Sequence, residues 1–479
     1  MTDKQDNENK PPKFQEEELV CQEKQIDFRS QILRYQATTG RLPLKNKDQE
    51  IDAQIFFTYY QKTPSDKQRP LTFAFNGGPG SPAIWLHLGA LGPKKVQMTA
   101  EGFFPQLPFK MVDNSHSWLN ETDLVFIDPV GCGYSEAKDE KTQEKFFSPN
   151  GDIESMGEFI RLFLTRFERW SSPLFLAGES YGAFRVAGLA GHLFHRGITF
   201  NGVMLISGAL NFYTLHIGPD YRLHDLPFVL ILPSYTAAAW YHKKLSDDLQ
   251  KRDLKDVLQE VEKWAKTEYT LALMEGNELT TENYDNIVDK LCMYTGLQPQ
   301  KVREVDLRVT LQEFCHNLMK PENTVVGRLD TRFVGLNAYE SVVGSLTGDP
   351  SLASIIPPFN SCFYQYVAEE LGYKSDLTYQ NLTGVTSWKW ENGHADTSQA
   401  LQKAMSLNPH MKLYVGIGYY DLATPYFAMD YTLSHMRLDA SRHANIAYHA
   451  YEAGHMYYIN ENSLQKFYDH IAQFITGSL

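Results

Sequence analysis

The chain has 479 residues and a formal net charge of −13, from 45 Lys and Arg against 58 Asp and Glu, which argues against nucleic acid or an anionic membrane as its main partner. Hydrophobic residues at 43% and charged residues at 22% suit a globular chain with a sizeable core. No apolar run reaches the about 18 residues of a membrane-spanning helix, so none is expected.

Residues 1–20 are rich in Asp, Glu, Lys, Asn and Pro and are expected to be disordered. They lack the apolar core and small-residue cleavage site of a signal peptide, so the sequence reads as cytoplasmic, with a periplasmic or secreted placement as the alternative. From Ile26 to Gln61, β-branched and aromatic stretches such as Gln54 to Tyr60 predict antiparallel strands, with a turn at Thr39-Gly40.

A repeating pattern follows, in which short apolar runs end in glycine-rich turns. Leu71 to Phe75 runs into Asn76-Gly77-Gly78-Pro79-Gly80, and Leu124 to Ile127 into Asp128-Pro129-Val130-Gly131. Pro173 to Ala177 runs into Gly178-Glu179-Ser180, Val203 to Ile206 into Ser207-Gly208, and Leu413 to Val415 into Gly416. Strands apolar throughout, separated by amphipathic segments such as 152–170 and 183–195, predict an α/β fold. Its sheet is mostly parallel and flanked by helices on both faces.

The stretch 212–400 breaks this rhythm with charged helical segments such as Lys244 to Glu275. It is too long for a loop and is expected to form a largely helical cap insertion. The core is then expected in two parts, 21–211 and 401–479. Cys21, Cys132, Cys292, Cys315 and Cys362 show no CxxC spacing and leave an odd one out, so reduced, mostly buried thiols are expected. No HExxH, paired CxxC or His-rich tract predicts a metal. The Gly416-Ile417-Gly418 pair lacks the third glycine of a dinucleotide site and is read as the turn that carries Asp421, so no cofactor is expected. Trp388 and Trp390 are read as core packing rather than pocket lining.

Gly178-Glu179-Ser180-Tyr181-Gly182 lies between a buried-type strand and a helical segment, the context of a nucleophile elbow. A serine hydroxyl needs a base and the base an orienter, which in this α/β-hydrolase architecture follow in the order Ser, Asp or Glu, His. Asp421 lies just past a strand, and His455 follows Gly454 after the strand-like Ile446 to Tyr451. Position and order single out His455 over His87, His116, His394 and His443. The Gly-Gly turn at Asn76 to Ser81 is expected to expose backbone N–H groups, and an oxyanion hole is predicted from Gly78 and Tyr181.

These motifs, with Asp128 to Ser135 and Ala453-Gly454-His455-Met456, resemble those of serine carboxypeptidases, the family typified by yeast carboxypeptidase Y and the wheat enzyme. The resemblance covers residues 71 to 458. It implies an α/β-hydrolase core with a helical cap, a peptide substrate, a monomer or a homodimer, and removal of single residues from peptide C-termini. It also implies that Asn76 and Glu179 bind the substrate's terminal carboxylate, Glu179 in its protonated form because two like charges repel. Met456 matches a residue of the leaving-group pocket. Ala74 and Ala90 stand where the family has a tryptophan and a second glutamate. That departure keeps a second reading open, an esterase, amidase or acyltransferase on the same three residues. The intact motifs argue against a third, a silent binding protein on a hydrolase scaffold, and fluorophosphonate labelling of Ser180 separates it from the other two.

Overall fold

A mixed ten-stranded sheet organises the computed structural model, which describes residues 14–215, 224–337, 348–383, 388–390 and 395–479. Most of the expected disordered tail (1–13) and His394 lie outside the described residues, while residue 20 already belongs to the first strand. In chain order the main strands are β1 (Val20–Phe28), β2 (Gln31–Lys45), β3 (Ile51–Lys62), β4 (Leu71–Phe75), β5 (Asp123–Ile127), β6 (Leu174–Glu179), β7 (Gly202–Ile206), β8 (Lys412–Gly418) and β9 (Ile446–Tyr451). Their order in the sheet is β1-β2-β3-β5-β4-β6-β7-β8-β9, with the two-residue strand Glu136–Ala137 on β3. β1, β2 and β3 pair antiparallel, and β3 joins β5 antiparallel. Every pairing from β5 to β9 is parallel. The mostly parallel sheet is as expected from the alternation of apolar strands and amphipathic segments, and the fold is that of an α/β hydrolase, as the family resemblance implies.

The central strands are apolar on both faces because helices cover both. Phe73, Val125, Leu176, Leu205 and Val415 belong to one buried cluster. It is shared with α1 (Pro149–Arg166), α2 (Tyr181–Phe194) and, from later in the chain, the helix Ser398–Leu407. Their neighbours Ala74, Phe126, Ala177, Met204 and Tyr414 point the other way, into a second cluster with the helices Pro350–Gln365 and Glu461–Thr476. The helices Leu226–Tyr241, Leu254–Trp264 and Thr281–Thr295 build a third cluster of their own, which Leu422 joins from the core. The expected seam between residues 400 and 401 falls inside the helix Ser398–Leu407. No helix among the described residues is long and apolar enough to cross a membrane.

Two local expectations need correction. Thr39-Gly40 is no turn: β2 runs straight through it, with Thr39 opposite both Val20 and Thr58. A reversal there would open two hydrogen-bonded ladders at once. The glycine answers a close approach instead, since a Cβ at Gly40 would stand 2.7 Å from Leu19 Cδ2. The reversals lie at Arg29-Ser30, both with positive φ, and at residues 46–50. Gly416 to Gly418 likewise belong to β8, where Gly416 pairs with Ile206 and His449. A side chain on Gly418 would strike the Gly454 backbone, so that glycine lets the strand meet the loop before His455.

Candidate active site

The candidate residues gather at the C-terminal ends of the parallel strands, the usual location of a site in an open α/β sheet. Asn76 follows β4, Ser180 follows β6 and Ser207 follows β7, while Asp421 and His455 lie in the loops after β8 and β9.

Ser180 caps α2 with φ 60° and ψ −125°, a backbone state that side-chain-bearing residues adopt only under constraint. Its N–H donates to Ile206 O at 3.0 Å and Ser207 O at 3.2 Å, which ties the elbow to β7. A Cβ on Gly182 would lie 2.6 Å from Phe75 O, so α2 can press against the end of β4 only with glycine there.

Asp421 is fully buried and accepts from every side. Its Oδ1 takes the N–H groups of Ala423 (2.7 Å) and Thr424 (3.1 Å), and its Oδ2 takes His455 Nδ1 and Thr424 Oγ1, each at 2.7 Å. Thr424 Oγ1 also lies 2.8 Å from Ser207 O, the carbonyl that receives the Ser180 N–H. The His455 N–H donates to Leu329 O at 2.6 Å, and the Gly454 N–H to Asp330 Oδ2 at 3.0 Å. Burial pushes the His455 imidazole down, but the Asp421 charge and hydrogen bond, aided by Glu179, outweigh it and leave His455 above its ordinary value. The structure thus joins Asp421 to His455 directly, while the single hydroxyl hydrogen of Thr424 is shared between Asp421 Oδ2 and the Ser207 carbonyl that receives the Ser180 N–H. Ser180 Oγ has no hydrogen-bond partner among the described residues, a contact that often tightens only when substrate arrives.

The Asn76 to Gly80 turn is pressed onto the N-terminus of α2, where a Cβ on Gly77 would lie 2.5 Å from Tyr181 N. Neither the Gly78 nor the Tyr181 N–H donates to another described residue. Both therefore remain available as donors, at the helix end whose dipole favours negative charge. Gly77→Ala is therefore expected to displace Tyr181 N–H and lower kcat by about 10²–10³ with the fold retained, measured by steady-state kinetics beside circular dichroism. A kcat within threefold of the parent would remove Tyr181 from the hole.

Asn76 and Glu179 are buried side by side, with Asn76 Nδ2 donating to Glu179 Oε2. Asn76 Oδ1 accepts the Leu86 N–H at 3.0 Å, which orients the amide nitrogen toward Glu179. The Asn76 carbonyl accepts from Arg185 at 2.7 Å, and Arg185 pairs with Asp152 at 2.8 Å. Tyr458 donates its hydroxyl to Glu179 Oε2 at 2.7 Å. Burial raises the Glu179 carboxyl to about 7, with His455, Tyr458 and Asn76 acting in the opposite sense. Ala74 and Ala90 are both fully buried. Met456, also buried, lies in the cluster beneath the sheet that includes Tyr458. Trp388 packs edge-on to Tyr181 at 5.4 Å and Trp390 against Phe212 at 4.7 Å, within the cluster that holds α2. His87 is buried against Phe126 and bonded to Tyr60, away from this group.

Sequence reasoning missed Thr424, Ser207, Tyr458 and the Arg185–Asp152 pair. Thr424 had a signal, since Asp-x-x-Thr is a turn in which the carboxylate takes the following N–H groups. Arg185 had one too, because a charged residue amid the small and apolar residues of α2 asks for a buried partner. Tyr458 and Ser207 had none.

A family model described as "Serine carboxypeptidase" matches residues 30–467. Among curated proteins, the chain is 27% identical over 160 residues to Serine carboxypeptidase-like 12 of Arabidopsis thaliana, covering 33% of this chain and 35% of that one. It is 25% identical over 166 residues to a Carboxypeptidase Y homolog A of Chaetomium globosum, covering 34% and 27%. These alignments span only about a third of the relatives' length. Among solved structures, Kex1Δp, a prohormone-processing carboxypeptidase from Saccharomyces cerevisiae, superposes with a TM-score of 0.57 at 18% identity, covering 92% of this chain and 91% of that one, a likeness of fold.

Proposed function

The chain belongs to the serine carboxypeptidase family, and we propose that it hydrolyses C-terminal peptide bonds through an acyl-enzyme on Ser180. A peptide's terminal carboxylate sits on Asn76 Nδ2 and the protonated Glu179. His455, oriented by Asp421, takes the Ser180 hydroxyl proton as Oγ attacks the scissile carbonyl. The Gly78 and Tyr181 N–H groups stabilise the oxyanion. His455 then protonates the leaving amine, and the free amino acid departs along the side bearing Met456. Water, deprotonated by His455, hydrolyses the ester and restores Ser180.

The observation that carries this reading is Glu179, a carboxyl next in sequence to Ser180, buried, bonded by Asn76 and kept neutral up to about pH 7. An ionised carboxylate there would repel a substrate carboxylate, whereas a neutral one donates to it. The test compares an N-blocked dipeptide acid with its C-terminal amide from about pH 4 to 9, using Ser180→Ala as the blank. A strong preference for the acid is expected. Equal or faster turnover of the amide would move the protein to the esterase, amidase or acyltransferase reading.

The pH profile is a second prediction. For the acid substrate, kcat/KM should fall on the alkaline side as Glu179 ionises near 7 and on the acid side as His455, held above its ordinary 6.5, takes a proton, so the two limbs crowd into a narrow bell. Glu179→Gln stays neutral throughout and should flatten the alkaline fall. Stability carries the same signature. The native carboxyl stands above its ordinary value of 4.5, so the unfolded chain ionises first and stability is lost as pH rises from about 4.5 to about 7. Urea melts of Glu179→Gln should lack that loss; a variant whose stability falls with pH as the parent's does would show that Glu179 is not the group responsible.

A further inference from the structure

We propose that Tyr458 is a positioning residue of the carboxylate site, holding one oxygen of Glu179 so that its acid proton is left on the other, Oε1, for a substrate's terminal carboxylate. The inference rests on the carboxypeptidase reading and adds to it a residue that none of the motifs contains.

Tyr458 lies in the short 3₁₀ turn Tyr457–Ile459, three residues after His455. It is fully buried, and its hydroxyl donates to Glu179 Oε2 at 2.7 Å, its one acceptor among the described residues. A buried hydroxyl left without an acceptor is destabilising, so the donation is maintained. Asn76 Nδ2 donates to the same oxygen. With two hydrogens already pointing at Oε2, a proton on that atom would face both, whereas Oε1 has no partner among the described residues. The neutral acid therefore carries its hydrogen on Oε1. Burial keeps the phenol protonated well beyond working pH, so it stays a donor. The charged and titratable groups that act on Glu179 are His455, Tyr458 and Asp421.

The neighbouring helix makes room for this ring. A Cβ on Gly89 would stand 2.6 Å from Tyr458 Cε2, and the next residue is the methyl-sized Ala90. Where the family resemblance leads one to expect a tryptophan and a second glutamate, this chain has two alanines. The polar group that meets Glu179 comes instead from the loop of the base.

The test is Tyr458→Phe in the full chain, assayed on an N-blocked dipeptide as its acid, amide and ester, with a full pH profile. Loss of one hydrogen bond to an acid group predicts a KM for the acid about tenfold higher, a loss several times larger than for the amide or ester. The alkaline limb should also move to higher pH, because the Tyr458 hydrogen bond favours ionised Glu179. Equal losses on all three substrates would make Tyr458 merely structural and overturn the inference. So would a parent that prefers the acid together with a variant of unchanged KM and limb. A parent with no preference for the acid would overturn the carboxypeptidase reading and this inference with it.

Discussion

Asp421→Asn should lower kcat by roughly four orders of magnitude while leaving the fold intact. The carboxylate accepts two backbone N–H groups at Oδ1 and the His455 Nδ1–H at Oδ2. An amide has one accepting end. If its oxygen keeps the Ala423 and Thr424 N–H groups, its NH₂ faces His455 Nδ1 and donates to it. The imidazole hydrogen must then move to Nε2, the atom that has to accept the Ser180 proton. The base is lost through its tautomer rather than through misfolding. Single-turnover kinetics and the rate of fluorophosphonate labelling of Ser180 both report this. A kcat within tenfold of the parent would mean that another group orients His455.

Arg185→Ala should cost about 3–5 kcal/mol of stability, read from urea denaturation, because it strands Asp152 in the core. Arg185 is fully buried and Asp152 is 2% exposed, and the pair closes at 2.8 Å between α2 and α1. Replacing both, Arg185→Met with Asp152→Leu, should cost less than the single change, since no unpaired charge remains. Arg185 also donates to the Asn76 carbonyl, so the single variant should bind the acid substrate more weakly as well. A loss under about 1 kcal/mol would show that water or another group takes over the Asp152 carboxylate.

Local pattern set much of the fold and the outline of the site. Apolar runs at Leu71, Leu124, Leu174, Val203 and Leu413 became the parallel strands because each is apolar on both faces, which only a sheet covered on both sides satisfies. Ser180 was legible from the strand-to-helix context of its Gly-x-Ser-x-Gly motif; Gly178 is demanded by the Gly182 backbone within the elbow, whereas Gly182 answers Phe75 and Asn76 at the distant end of β4. Asp421 and His455 were legible as residues placed just beyond strand ends.

What the sequence could not determine are contacts between segments far apart in the chain. The same glycine that punctuates a turn at Gly78 sits mid-strand at Gly40, because Leu19 approaches it there. Thr424 meets Ser207 across 217 residues, Arg185 reaches the Asn76 carbonyl across 109, and Tyr458 reaches Glu179 across 279. Residue order alone reveals which groups can do chemistry near a strand end. Which of them are buried together, and so which carboxyl keeps its proton and which oxygen holds it, was decided only when the sheet brought its strand ends side by side.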